Sequence, residues 1–262
     1  MTAKPIAAGL DFGTSNSSVA VVRADGSIEL ARFPASAPAT GESETMRSVL
    51  FFPADTEERE RTAYVGAEAV ARYLDSGAAG RFVQSLKSFL ADRSFRSTTI
   101  MGDSFSLEDL LAPMARALRT AAKEQFGELP DNVVVGRPVR FAGSDDEADE
   151  RLALDRLEIG LRRGGWHNFR FEYEPVAAAC HYGAQISREE TVLVGDFGGG
   201  TSDFSLVRII PAEQGHSAQP RYEILGNEGV ALAGDAFDGR IVRHLVAPEL
   251  GRGSSDGITC RC

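Results

Sequence analysis

The stretch LDFGTS at residues 10–15 recurs as GDFGGGTS at residues 195–202, and these two stretches decide the fold of the chain. Each ends an apolar strand pattern with an aspartate, passes through a glycine-rich turn with hydroxyl side chains, and enters a second strand pattern. That second pattern is SSVAVV after the first turn and DFSLVRI after the second. The two aspartates, Asp11 and Asp196, lie 185 positions apart. An internal repeat of this kind is a better guide to architecture than any single motif.

The residue types of this repeat suit the binding of phosphate and of a metal ion. Glycines let consecutive backbone N–H groups point into one concavity that binds phosphate, and the Thr14 and Ser15 hydroxyls add donors. A carboxylate at a strand end suits hydrated Mg²⁺, which needs only one or two protein carboxylates. Two facing turns would therefore hold a nucleoside triphosphate from both sides. The alternative is a pair of ordinary hairpins, because the sequence matches neither G-x-x-x-x-G-K-[ST] nor a G-x-G-x-x-G that opens a helix.

Composition indicates a globular protein and disfavours some partners. The 262 residues include 38 acidic and 28 basic side chains, a net charge of −10, with 43% hydrophobic residues. Nucleic acids and anionic membranes favour positive charge, so we expect neither as a partner. No apolar run approaches the roughly 20 residues that a membrane helix needs. Three cysteines cannot form a disulfide framework, and we expect a cytoplasmic protein.

The order of predicted elements indicates an α/β fold with a mixed sheet. Asp25-Gly26 predicts a hairpin, and Ser106 with Asp109 predicts a helix cap. Residues 81–93, which carry Lys87, are predicted to be a short helical or irregular piece. The predicted strands lie at residues 6–12, 17–23, 27–33, 48–52, 132–135, 168–173, 191–197, 203–210 and 221–226, and the predicted helices at 66–75, 107–126, 145–163, 175–185 and 234–245.

With these motifs the sequence resembles the actin-like ATPase superfamily, within it the DnaK-type heat-shock chaperones, and most of all their YegD-like branch. FEYEPVAAACHYG at residues 171–183, GVALAGDAFDGRIV at 229–242 and SLKSFLADRSF at 85–95 carry the resemblance beyond the two turns. It implies an α/β, actin-like ATPase (ribonuclease H-like) fold. The first lobe would be complete over residues 1–187, a second lobe would begin over 188–250, and 251–262 would be an irregular tail.

The resemblance also implies a role for individual residues. The implied catalytic residues are Lys87, Glu174, Asp196 and Thr201, and the implied metal-binding carboxylates are Asp11 and Asp196. The implied nucleotide-binding residues are Gly13, Thr14, Ser15, Gly198, Gly199, Gly200, Thr201, Asp203, Gly234 and Asp235. Lys87 would orient the γ-phosphate, Glu174 would position the attacking water, and Pro138 would couple nucleotide state to the rest of a chaperone. The implied cofactors are ATP and Mg²⁺, and the implied partners are ATP or ADP, client proteins and co-chaperones.

Each of these roles has a simpler alternative. Lys87 is one of only three lysines, with Lys4 and Lys123, and as an ordinary helix lysine it would be solvated. Glu174 would otherwise be the first acid of a helix, stabilised by the helix dipole, and Pro138 a strand terminator.

The sequence departs from the chaperone pattern in two places. Residues 138–141 read PVRF without the tyrosine of the chaperones, and the next arginine, Arg151, is displaced. No glycine-rich adenosine motif, peptide-binding domain or lid follows Val246, so we expect a truncated, frame-shifted or fragmentary chain with weak triphosphate binding and little turnover. The alternatives are a non-catalytic, degenerate nucleotide-binding fragment, a sugar or carboxylate kinase of the superfamily, and a filament-forming actin-like protein.

Overall fold

A computed structural model describes residues 4–35, 41–54, 63–212, 220–230 and 232–252 of the chain. These ranges contain both strands and helices, as the sequence predicts for an α/β fold. The strands are β1 (Pro5–Phe12), β2 (Asn16–Arg23), β3 (Ile28–Leu30), β4 (Phe33–Pro34), β5 (Glu42–Ser43), β6 (Met46–Arg47), β7 (Val49–Pro53), β8 (Tyr64–Val65), β9 (Gly80–Gln84), β10 (Thr98–Ile100), β11 (Asp103–Phe105), β12 (Val133–Arg137), β13 (Phe169–Tyr173), β14 (Glu190–Phe197), β15 (Ser202–Ile210) and β16 (Arg221–Val230).

Helices connect these strands. They are α1 (Gly66–Asp75), α2 (Leu107–Phe126), α3 (Glu147–Arg163), α4 (Glu174–Gly183), α5 (Gly234–Ile241) and α6 (Ala247–Glu249), with a 3₁₀ helix at Leu86–Phe89 and a π-helical turn at Val242–Val246. The predicted cap of α2 is confirmed, because Ser106 and Asp109 each bond to the other's backbone N–H. Within the described ranges, no helix combines the length and the apolarity that a membrane crossing requires.

The first sheet is mixed and has the order β13-β12-β1-β2-β3, with β6 also paired to β2. Strands β13, β12 and β1 run parallel, and β1, β2 and β3 run antiparallel. The main hydrophobic core includes residues of β1, β2, α2 and α3. Helix α3 lies close to α2 because Gly160 faces it, where a Cβ would lie 2.7 Å from Leu111 Cβ. This layer fixes the carboxyl ends of β1 and β12 on one rigid frame.

The second sheet is an antiparallel meander of β14, β15 and β16. Ala179 of α4 packs against Val207 and Ile209 of β15 in a small separate core. The opposite face is apolar and open, with Leu193 68% and Phe197 72% exposed. A third cluster, similar in size to the one between α4 and β15, forms where β7 packs on α1.

The hairpins β1–β2 and β14–β15 repeat each other in strand register, which confirms the internal repeat. Phe12 pairs with Ser17 in the first hairpin, and Phe197 pairs with Ser202 in the second. Each of these pairs encloses a four-residue turn, and the two pairs are related by the same offset of 185 positions. We call residues 13–16 the first turn and residues 198–201 the second turn.

Three predicted elements differ from the structure. The strand predicted at 27–33 ends at Leu30, and Phe33–Pro34 pairs separately with Glu42–Ser43. Residues 80–84 are a strand, β9, that pairs antiparallel with β7, rather than part of a helical or irregular piece. Strand β16 continues to Val230, beyond the predicted end. Residues 253–262, most of the predicted tail, lie outside the described residues.

Candidate active site

The first and second turns face each other in direct contact. A Cβ at Gly199 would lie 1.9 Å from Ser15 Oγ, and a Cβ at Gly200 would lie 3.7 Å from Thr14 Cγ2. Since even an alanine at Gly199 would overlap the serine hydroxyl, glycine lets the backbone of the second turn come this close. The structure thus brings both predicted phosphate-binding turns to one place.

The first residues of α5 form backbone hydrogen bonds with the second turn. The N–H of Gly234 donates to Gly198 O at 3.1 Å, and the N–H of Asp235 donates to Gly199 O at 2.9 Å. On the strand side, Thr201 Oγ1 donates to Asp203 Oδ2 at 2.6 Å. These bonds link Asp203, Gly234 and Asp235 to the second turn.

Lys87 and Glu174 form an ion pair beside the turns. Lys87 lies on the 3₁₀ helix, Glu174 is the first residue of α4, and Nζ donates to Oε1 at 2.6 Å. Both side chains are largely enclosed, with 11% and 21% of their surfaces exposed. Gly136 of β12 leaves room for the glutamate, because a Cβ there would lie 3.2 Å from Glu174 Cγ. The structure therefore does not support reading Lys87 as a freely solvated lysine.

The two aspartates interact electrostatically with this ion pair. Asp11 is exposed to solvent, but many protein atoms surround its carboxyl group. The resulting desolvation raises the pKa of that group. Lys87 opposes that rise, while Glu174 and Asp196 add to it. Burial also raises the pKa of Asp196, Glu174 raises it further, Lys87 opposes it, and Asp203 adds a smaller rise. The site therefore concentrates negative charge around one ammonium group, and a bound cation would relieve it.

The donor set fits a hydrated divalent cation better than a fully protein-bound one. Among the described residues, no group of three or more His, Cys, Asp or Glu side chains is arranged to hold a metal ion. Asp11 and Asp196 approach from the two facing hairpins, and Mg²⁺ needs only one or two such carboxylates because it keeps several waters. Asp11 and Asp196 therefore stay the predicted metal-binding residues.

The segment that carries Lys87 also contacts the second turn, which the sequence reasoning missed. Ser85 Oγ donates to Asp235 Oδ2 at 3.0 Å. A Cβ at Gly200 would lie 3.0 Å from Ser88 Oγ. Ser85 has a left-handed backbone, with φ of 58°, and such a conformation in a non-glycine residue often marks a functional site. Nothing in the local sequence predicts this conformation.

Pro138 and Glu174 both line a small, partly open cleft. The cleft is lined by Pro138, Val139, Glu174, Pro175, Val194, Asp196, Asp203, Ser205 and Asn227. The neighbouring Arg137 donates from Nη2 to Glu150 Oε2 at 2.9 Å, and its guanidinium lies 5.1 Å from the centre of the Tyr173 ring. Arg137 was also missed, because its partners come from α3 and β13.

Comparison with known proteins identifies the class to which this fold and site belong. A family model described as Hsp70 protein matches residues 83–254, which is well over half of the chain. The chain therefore belongs to the Hsp70 family, and the predicted DnaK-type resemblance is confirmed at this level.

Individual relatives agree with this assignment. The chain is 29% identical over 260 residues to a chaperone protein HscA homolog of Tolumonas auensis, covering 92% of this chain and 36% of that protein. It is 28% identical over 257 residues to a chaperone protein HscA homolog of Bordetella pertussis, covering 94% of this chain and 38% of that protein. The chain spans a little over a third of the length of these curated relatives.

Proposed function

We propose that this chain is an ATP-binding, Mg²⁺-dependent ATPase module of a DnaK-type chaperone. The observation that carries the proposal is the convergence of both glycine-rich turns on one enclosed Lys87–Glu174 ion pair, with Asp11 and Asp196 beside it. Family membership supports ATP as the nucleotide. The kinase and filament alternatives have no observation in their favour among the described residues.

In phosphoryl transfer to water, each group of site residues would have a separate role. The first and second turns present backbone N–H groups, and Thr14 and Ser15 add hydroxyl donors, for the phosphate oxygens. The Thr201 hydroxyl donates to Asp203, so it would reach a phosphate oxygen only after turning away from that carboxylate. The Lys87 ammonium is placed to orient the terminal phosphoryl group. Glu174 accepts the hydrogen bond from Lys87 at Oε1. Its other carboxylate oxygen, Oε2, would orient the attacking water. Catalysis of this kind depends on positioning and on charge neutralisation rather than on covalent chemistry.

Asp11 and Asp196 are the residues that would hold the magnesium ion. When bound, Mg²⁺ supplies positive charge that neutralises the phosphate oxygens. Both carboxylates must be ionised to hold it, although burial raises the pKa of each. We therefore propose that metal and nucleotide bind together, since a cation offsets the repulsion among Asp11, Asp196 and Glu174.

The finer assignments are also proposals. Membership of the YegD-like branch is a proposal that rests on the sequence resemblance. Client proteins and co-chaperones are proposed partners because the relatives are named as chaperones. The low cysteine content supports a cytoplasmic location. The division into lobes at about residue 188, and the weak turnover of this chain alone, also remain predictions.

Calorimetric titration with Mg-ATP tests the proposal. We expect Asp11→Asn and Asp196→Asn each to weaken binding at least about tenfold, a loss of ~1.4 kcal/mol. Asp155→Asn, at an exposed position on α3, is the matched control and should leave binding unchanged. Equal binding by all four proteins would refute the assignment of the two turns. A second measurement, single-turnover hydrolysis by Lys87→Ala, should show slower chemistry, and an unchanged rate would remove Lys87 from the catalytic group.

A further inference from the structure

Arg156 is a buried arginine on the inner face of α3. Only 8% of the residue is exposed, and it shares this face with the core residues Ala153 and Leu157. An ion pair with Glu108 at the start of α2 balances its charge, with 3.8 Å between Nε and Oε1. A charged side chain at such a position is expensive unless its donors are satisfied. The hydrogen bonds of the Arg156 side chain therefore indicate its role.

The guanidinium group donates to four backbone carbonyls of a single short segment. Nη1 donates to Leu90 O at 2.9 Å, to Asp92 O at 2.9 Å and, more weakly, to Phe89 O at 3.3 Å. Nη2 donates to Phe95 O at 2.7 Å. The planar fork of an arginine supplies several donors in fixed directions, which neither lysine nor glutamine reproduces.

That segment is the one that carries Lys87. Its own turn bonds are long, with 3.3 Å from Leu90 N to Lys87 O and 3.2 Å from Asp92 N to Phe89 O. Leu90 is buried in the main core and fixes one side of the segment. Arg156 fixes the other side, and Arg93 adds a second tie to α3 through Asp146.

We propose that Arg156 is a positioning residue, which holds the backbone after Lys87 so that the lysine ammonium stays on Glu174. The proposal deepens the proposed ATPase function and rests on it for its catalytic consequence. Arg156 touches neither Lys87 nor Glu174 in any contact that the structure gives, so its effect passes through the main chain. Misplacing a reacting group by about 1 Å lowers a rate by about 10²-fold, so a long, flexible lysine side chain needs a fixed origin.

The scarcity of lysine makes a direct test practical. Selective ¹³C labelling at lysine Cε gives three signals, from Lys4, Lys87 and Lys123, and Lys87→Arg identifies the one from Lys87. We expect Arg156→Met to shift the Lys87 signal toward those of the other two lysines as the ion pair with Glu174 loosens. The measurement needs no nucleotide, so it decides the positioning role even if the chain does not bind ATP.

Two further variants keep the test decisive. Arg162→Met is the matched control, because Arg162 lies on the same helix and also donates to a backbone carbonyl, that of His167 at 2.9 Å. It should leave the Lys87 signal in place. Arg156→Lys keeps the charge beside Glu108 but loses the fork, and it should cause a smaller shift. Its added lysine signal is identified because it persists when Lys87→Arg is combined with it.

The outcomes separate positioning from simple support of the fold. Trp166, the single tryptophan, reports unfolding of each variant. An unmoved Lys87 signal in a folded Arg156→Met or Arg156→Lys protein would overturn the proposal, even if the unfolding midpoint falls. If Arg156→Met does not fold, Arg156→Lys decides by the same criterion. In single-turnover assays we expect Arg156→Lys to hydrolyse ATP more slowly at unchanged ATP affinity; slower hydrolysis explained wholly by weaker affinity would contradict the positioning role.

Discussion

The hairpins β1–β2 and β14–β15 have the same register but opposite environments. Phe12 is 1% exposed, whereas Phe197, at the equivalent position, is 72% exposed. The same contrast separates Val21, fully buried, from Leu206, 40% exposed. In both hairpins the aspartate directly precedes the phenylalanine, so the two side chains lie on opposite faces of the strand. The repeat therefore determines the geometry of the functional end, while neighbouring layers decide which face of each hairpin is buried.

The largest expected effect comes from the two phenylalanines. Phe12→Ala should lower the free energy of unfolding by about 3–5 kcal/mol, because it opens a cavity in the main core. Phe197→Ala should cost less than about 1 kcal/mol, since it removes an exposed ring that forms a T-shaped pair with Phe204, with 5.5 Å between the ring centroids. Urea unfolding measures both. Similar losses in the two variants would show that the open face of the second sheet is covered in solution.

The glycines that begin the turns provide the next comparison. A Cβ at Gly13 would lie 2.1 Å from Asn16 O, and one at Gly198 would lie 3.2 Å from Thr201 O. Gly13→Ala must displace a backbone carbonyl and should cost about 1–3 kcal/mol. Gly198→Ala should cost less than Gly13→Ala, because its neighbour needs to move only slightly.

Urea unfolding of these variants has a control within β1. A Cβ at Gly9 would meet nothing within 4 Å, so Gly9→Ala should lose less than Gly13→Ala. Equal losses in Gly13→Ala and Gly198→Ala would mean that the two turns have the same backbone in solution.

The equivalent aspartates give a pH-dependent comparison. Burial raises the folded-state pKa of both Asp11 and Asp196, so the folded protein binds these protons more tightly than the unfolded chain does. The resulting stabilisation is fully present below the ordinary aspartate pKa and is lost as the pH rises through the raised pKa. Without Mg²⁺, Asp11→Asn and Asp196→Asn should therefore melt at a higher temperature than the wild type at neutral pH.

Thermal unfolding across an acid-to-neutral series checks this sign. The advantage of both variants should shrink as the pH falls, because the wild-type carboxyls become protonated. Asp155→Asn serves again as the exposed control. A lower melting temperature at neutral pH for Asp11→Asn would contradict the direction of the pKa shift. Mg-ATP should stabilise the wild type and Asp155→Asn more than it stabilises either site variant.

The smallest effect is expected at the contact between the lysine segment and α5. Ser85→Ala removes the bond to Asp235 and should cost about 1 kcal/mol. Ser85→Gly removes the same bond but suits the left-handed backbone, so it should cost less. Ser76→Ala, which removes a local hydroxyl bond to Tyr73 O at 3.0 Å, is the control for losing a serine hydroxyl. A Ser85→Gly variant less stable than Ser85→Ala would show that the backbone at Ser85 is not strained.

The sequence was sufficient to predict the parts of the fold that depend on local chemistry. The glycine turns, the alternating strands and the α2 cap all follow from residues close together in the chain. The resemblance then placed Lys87 and Glu174, and the structure brings them together at 2.6 Å. The roles of these residues stay predictions, because the structure shows proximity and not chemistry.

Other features could not be read from the sequence because they depend on distant partners. Strand β9 forms by pairing with β7, and its residues GRFVQ show no clear alternation. Arg156 lies in the inward stripe of α3, an unusual place for a charge, yet its carbonyl partners lie more than sixty residues away. The open face of the second sheet consists of ordinary strand residues, and only the arrangement of layers shows that nothing among the described residues covers it.

The hairpin register has a consequence for the order of folding. Each hairpin closes over a turn of only four residues, and such local structure forms within about 1–10 μs. The Lys87–Glu174 pair instead joins groups 87 positions apart, and the two turns meet across 185 positions. Distant contacts carry a larger loop-closure entropy. We therefore expect the two hairpins to form before they come together to make the site. The first and second turns would thus be exposed early in refolding, and pulse-labelling hydrogen exchange would detect this order.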